Sequence, residues 1–98
     1  MIRHVAMFTW NESAEDGAIA EFAAQLSTMP DHIAVIRRYD HGDDLQLGPG
    51  TADYVLVADF DTVEDYRSYA QHPYHVEFID TVVKPLVKSV NRVQYHLP

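Results

Sequence analysis

Asp53-Tyr54-Val55-Leu56-Val57-Ala58-Asp59-Phe60 decides the fold, because its side chains divide by parity into two sets and both sets are largely apolar. Tyr54, Leu56, Ala58 and Phe60 would share one face of a strand, and Val55, Val57 and Asp59 the other. The same pattern opens the chain. From Met1 to Trp10, Ile2, His4, Ala6, Phe8 and Trp10 alternate with Val5 and Met7. Two strands that are apolar on both sides need cover on both sides.

Between and beyond these strands the spacing changes. Ser13-Ala14-Glu15-Asp16 resembles an N-cap with acid in the first turn, and Ile19, Phe22, Ala23 and Leu26 follow at helical intervals until Met29-Pro30. Ile33 to Asp40 is a second strand candidate, followed by a turn-rich loop through His41-Gly42-Asp43-Asp44 and Leu47-Gly48-Pro49-Gly50. Asp61-Thr62 caps a short helix carrying Val63, Tyr66, Tyr69 and Ala70. Pro73 starts another helix, since its missing N–H has no intrahelical partner at the first position. Val76, Ile79, Val83 and Leu86 continue its apolar stripe, with Pro85 marking a kink or the start of a final turn. Val90 to Leu97 makes the last strand. The order β-α-β-β-α-β predicts one α+β domain over residues 1–98, ferredoxin-like, with helices on one face of an antiparallel sheet. The other face, with Val5, Met7, Val55 and Val57, needs a partner, and a second copy packed sheet to sheet is the simplest. The pattern therefore predicts a homodimer through the sheet face.

Composition excludes several functions. Seven Lys and Arg against fifteen Asp and Glu give a formal net charge of −8, which repels nucleic-acid phosphates and anionic lipid. No run approaches the roughly 20 apolar residues of a membrane span, and the N-terminal apolar run is too short for a signal peptide. The absence of cysteine removes disulfides and thiolate chemistry and fits a reducing cytoplasm. A cytoplasmic protein with no nucleic-acid and no membrane partner is the expectation.

Chemistry concentrates in Tyr69-Ala70-Gln71-His72-Pro73-Tyr74-His75-Val76-Glu77-Phe78. Two helix ends meeting here can aim the Tyr69 phenol and the His75 imidazole at one small volume, and both groups donate or accept protons. His72, immediately before a proline, is held extended and suits a helix cap. His4 lies on the strand face directed at the helices and can line the same volume. Phe22, Leu26, Tyr54, Leu56, Phe78 and Leu86 would supply apolar walls. Each assignment has a structural alternative: Tyr69 packing on the sheet, His75 bonding helix backbone, His4 as a hydrogen-bonded core histidine, and the apolar residues as core. A metal held by His4, His72 and His75 would lack an evident carboxylate partner. His32, His41 and His96 read as loop or terminal residues, and Asp40, Asp43 and Asp44 as a solvated charge run.

The motif His72-Pro73-x-His75-x-x-Phe78 after a tyrosine-bearing helix, combined with Met1-Ile2-Arg3-His4-Val5 and Ala52 to Phe60, resembles the stress-responsive A/B barrel (Dabb) family over nearly the whole chain. The resemblance implies dimers in which two sheets close into an α/β barrel. In its plant polyketide cyclase branch, a tyrosine and a histidine at the positions of Tyr69 and His75 are the catalytic pair, and a histidine at the position of His4 belongs to the pocket. The implied reaction is an aldol-type closure of a poly-β-ketone without metal or organic cofactor. Leu26 and Tyr54 stand where that branch has a pocket tyrosine and a pocket histidine, so its substrate does not carry over. The expected ligand is a small apolar, phenolic or polycarbonyl molecule. Two rival functions stay open: a non-catalytic small-ligand-binding dimer in a stress response, and a cofactor-free monooxygenase of aromatic substrates.

Overall fold

A computed structural model describes all residues from Met1 to Pro98. Four strands, β1 (Ile2–Trp10), β2 (Arg38–Asp43), β3 (Tyr54–Phe60) and β4 (Val87–His96), form one sheet in the order β2-β3-β1-β4. All three pairings are antiparallel. The helices are α1 (Asp16–Leu26), α2 (Met29–His32), α3 (Val63–Gln71), α4 (Pro73–Phe78) and the short α5 (Lys84–Leu86), with one wider π turn at Ile79–Val83 between the last two. The architecture is the expected ferredoxin-like α+β fold.

Strand parity sorts the side chains as the sequence dictates. Ile2, His4, Ala6 and Phe8 of β1, and Tyr54, Leu56, Ala58 and Phe60 of β3, are buried, and with Phe22, Leu26, Met29, Tyr69 and Phe78 from the helices they make the core. On the opposite face the register aligns Val57, Val5 and Val93 in one row and Val55, Met7 and Asn91 in the next. Met7 is 41% exposed, Val93 51% and Tyr95 45%, so an apolar surface stands open to solvent in the single chain. Arg3 closes one end of this face through a fork on Asp59, with Nε to Oδ1 at 2.8 Å and a second nitrogen to Oδ2 at 2.9 Å. The guanidinium holds the Asp59 carboxyl below its usual range.

Four local expectations are corrected. The second strand is not Ile33–Asp40: it begins at Arg38 and takes in His41, Gly42 and Asp43, which the sequence put in a loop. Pro30 does not end helical structure but sits in the first turn of α2, whose last N–H bond, Ile33 to the Met29 carbonyl at 3.0 Å, pulls Ile33 into the core as irregular chain. Pairing of Gly42 with Val55 and His41 with Leu56 then overrides the local turn preference of the Gly-Asp-Asp segment. The first helix starts at Asp16, three residues after the expected cap at Ser13, whose N–H is held instead by Asn11 Oδ1 at 2.9 Å. The last strand starts at Val87, earlier than Val90: Val87 pairs with Trp10, and the register shifts before Ser89 pairs with Thr9. Pro85 opens α5. Its ring crowds the carbonyl four residues back and offers it no N–H, and the chain before it widens into the π turn, in which the Lys84 N–H reaches Ile79.

Candidate active site

The junction of α3 and α4 is built by caps that the sequence specifies. Thr62 accepts from the Asp65 N–H at 3.1 Å and starts α3. His72 ends that helix in extended geometry and caps the next, its Nδ1 accepting from the Tyr74 N–H at 3.1 Å, while Pro73 occupies the first helical position. The sharp turn at His72 brings the rings of Tyr69 and His75 to 4.3 Å between centroids, tilted by 38°.

Under this junction, between helices and sheet, lies a cavity of about 170 Å³ lined by thirteen residues. Of those singled out in the sequence, it gathers Tyr69, His75, His4, Leu26, Leu56 and Phe78. Three others do not line it. Phe22 is wholly buried among Phe8, Trp10, Tyr54 and Phe78. Tyr54 turns its hydroxyl to His41 Nδ1 at 2.6 Å, and His41 Nε2 in turn meets Ser27 Oγ at 2.9 Å, so that phenol belongs to a polar link between β2, β3 and the end of α1. Leu86 is core at the end of α5. Sequence reading did not single out Ala6, Phe8, Tyr66, Ala70, Ile79, Val83 and Arg92, which also line the cavity. Helical spacing of Tyr66 with Tyr69 and Ala70 carried part of that signal, whereas nothing local marked Arg92.

The hydrogen bonds fix how each polar group faces the cavity. His75 Nδ1 lies 3.1 Å from the Ala70 carbonyl, which only accepts, so Nδ1 carries the proton and the neutral ring keeps a lone pair on Nε2. Burial moves the His75 pKa down, the carbonyl bond partly opposes this, and the Arg92 charge adds to the lowering. The imidazole is accordingly neutral at pH 7. The Tyr69 hydroxyl meets that of Tyr39 at 2.8 Å. With Tyr39 donating, the Tyr69 proton is free for the cavity, and burial raises the Tyr69 pKa so that the phenol stays a donor. Gln94 Nε2 donates to His4 Nδ1 at 2.9 Å, leaving the His4 proton on Nε2. The cavity thus holds an imidazole acceptor, an imidazole donor and a phenol donor within mostly apolar walls.

His4 gives a pH signature. Burial, and secondarily the Arg92 charge, push its pKa down from 6.5 to about 4. The unfolded chain therefore binds a proton between these values that the folded chain refuses, so stability is full above pH 6.5 and falls as the pH drops toward 4. The loss from this ring is at most about 3 kcal/mol, with solvent at the cavity edge reducing it. Urea titrations at pH 7.0, 5.5 and 4.5 with an NMR titration of the ring check this. A His4 resonance titrating near 6.5 would refute the buried neutral assignment.

A ferredoxin-like sheet with a cavity of imidazole and phenol groups under its helices defines the class, and comparisons with known proteins supply the family. The model of the Stress responsive A/B Barrel Domain, Dabb, matches residues 2–96, and the chain belongs to that family. No curated protein matches the sequence. Among solved structures, a dimeric ferredoxin-like protein of unknown function from Thermobifida fusca is similar at 32% identity and a TM-score of 0.89, covering 98% of this chain and 90% of that one. A dimeric protein of unknown function from Bacteroides fragilis shares 25% identity at a TM-score of 0.82, with 98% and 95% covered. The hydroxynitrile lyase of Passiflora edulis has the same fold at 16% identity and a TM-score of 0.85, with 99% and 93% covered.

Proposed function

We propose that this protein is a homodimeric, cofactor-independent acid/base enzyme that abstracts a proton between two carbonyls of a small polycarbonyl substrate and closes a ring by an aldol-type step. The observation that carries this reading is the pairing of His75 and Tyr69 at 4.3 Å in the cavity, with Nδ1 of the first tied to Ala70 and the hydroxyl of the second held by Tyr39. His75 Nε2 takes the proton from the acidic carbon. Tyr69 donates a hydrogen bond to the carbonyl oxygen on which enolate charge develops. The enolate carbon then attacks a second carbonyl of the same molecule, and the alkoxide formed recovers the proton from His75. Protons balance and no redox partner is needed.

The cavity limits the substrate. A cavity of about 150 Å³ accepts benzene, so 170 Å³ suits one ring or a short chain of equal bulk. The open sheet face supports the dimer, since Met7, Val93 and Tyr95 lie together on it and similar structures are described as dimeric.

A thermal-shift panel of 1,3-diketones, pyrones and phenolic acids against wild type, Tyr69→Phe and His75→Ala tests the site. A ligand at about 100 times its Kd stabilises by about 2.7 kcal/mol. The expected result is a shift in wild type that weakens in both variants, and conversion of the bound diketones by wild type alone, with an acid limb of the rate profile below the ordinary imidazole value. Binding without conversion would leave a ligand-binding dimer. No binding, together with both variants melting well below wild type, would make the pair structural.

A further inference from the structure

Arg92 is the only permanently charged residue among the thirteen that line the cavity. It projects from β4 opposite Ala6, on the cavity side of the sheet. The protein makes four ion pairs, Arg3 with Asp59, Arg37 with Asp61, Arg38 with Asp40 and Lys84 with Asp80, and Arg92 is in none of them. No side-chain hydrogen bond engages it either, and of the three cations outside the ion pairs, Arg67, Lys88 and Arg92, it alone lines this cavity. An unpaired guanidinium is thus held where the apolar cavity meets solvent.

Its neighbours are donors too. Gln94 Nε2 lies 3.4 Å from the Tyr66 oxygen, which can accept from it and keep its own O–H free. The Tyr66 ring lies 4.9 Å from that of His4 between centroids, tilted by 43°, and His4 carries its proton on Nε2. Arg92, Tyr66 and His4 therefore present N–H and O–H groups with no carboxylate among the lining residues. Such a rim lacks one thing, a planar anion that accepts in two directions.

We propose that Arg92 selects substrates bearing a carboxylate, with the acid group at the rim and an apolar or polycarbonyl body of one ring's bulk in the cavity. This assignment rests on the cavity being the ligand site of the proposed reaction. It also orients the substrate: an acid anchored on β4 leaves the remainder of the molecule among the other lining residues, Leu26, Leu56 and Phe78 with Tyr69 and His75. A β-keto acid or an aromatic acid meets both requirements.

Matched acids and amides test the assignment, with Kd measured calorimetrically for benzoate against benzamide, cinnamate against cinnamamide, and 3-oxo-3-phenylpropanoate against its amide. Wild type is expected to bind each acid about tenfold more tightly than its amide, the scale of one charge-assisted bidentate contact. In Arg92→Gln the ratio should fall to about one through loss of acid affinity alone, with amide affinity unchanged. Arg92→Lys should keep a reduced preference, because the charge remains without the fork. Amides binding wild type as well as acids do, or Arg92→Gln keeping the preference, would overturn the role of Arg92 and leave the cavity as a ligand site. Failure of every acid and amide to bind at millimolar concentration would overturn both.

Discussion

Replacing Met7 and Val93 together by lysine is expected to convert a dimer into monomers, with the self-association Kd rising by about 10³-fold or more. Over the proposed twofold interface each loss counts twice. Each copy would lose two apolar side chains from the buried face, each contributing on the order of 1.5 kcal/mol, so four losses per dimer exceed the roughly 4 kcal/mol of a thousandfold change before any ammonium is desolvated. Folding of the single chain should be spared, because both side chains are already 41% and 51% exposed in it and a lysine stem can lie along the sheet. The polar end of the face is prepared for burial, since Arg3 already satisfies both oxygens of Asp59. Sedimentation equilibrium over micromolar concentrations, with circular dichroism as the control, reads the outcome. Wild type sedimenting as a monomer, or variant and wild type associating equally, would remove the sheet face as the interface.

Phe22→Ala should cost about 3–5 kcal/mol, a large part of the 5–15 kcal/mol by which domains of this kind are stable. Phe22 is 0% exposed and meets Phe8, Trp10 and Tyr54 edge-on at 5.1, 5.0 and 5.3 Å, with Phe78 at 5.4 Å. Truncation leaves a hole that four rings on three different strands and helices cannot all move to fill. Each lost aromatic pair adds about 0.5–1.5 kcal/mol to the transfer cost. Urea denaturation at fixed protein concentration measures it, since self-association would otherwise change the apparent stability. The same experiment separates the two roles that Phe22 carried in the sequence. As a wall of a ligand cavity it would be partly hydrated and its loss mild; as core its loss is severe. A cost below about 1 kcal/mol would contradict the burial described.

Much of the fold was legible because its signals are local. The parity of β1 and β3, the Thr62 cap and the His72-Pro73 junction depend on side chains acting within a few residues of themselves, and each formed where the sequence placed it. The same locality let the junction be read as a meeting point for Tyr69 and His75, whose backbone path is set by the extended residue before a proline. The alternation on both strand faces also announced that the helices cover only one side.

The remainder needed the folded chain. β2 forms from Arg38 to Asp43 because β3 offers it a free edge, and the ladder's bonds outweigh what glycine and aspartate prefer alone. That placement puts Tyr39 beside Tyr69 and His41 beside Tyr54, contacts 30 and 13 residues apart that no local pattern encodes. Arg92 reaches the cavity only through the β1–β4 register, across 86 residues from Ala6. The sequence by itself determined β1, β3 and the capped α3–α4 junction, which strand faces are apolar and where two proton-transfer groups meet, since these follow from side-chain spacing and backbone restriction. Only the tertiary structure decided which apolar residues fill the core, which line the cavity, and which charge guards its mouth, because those depend on the register of strands distant in the chain.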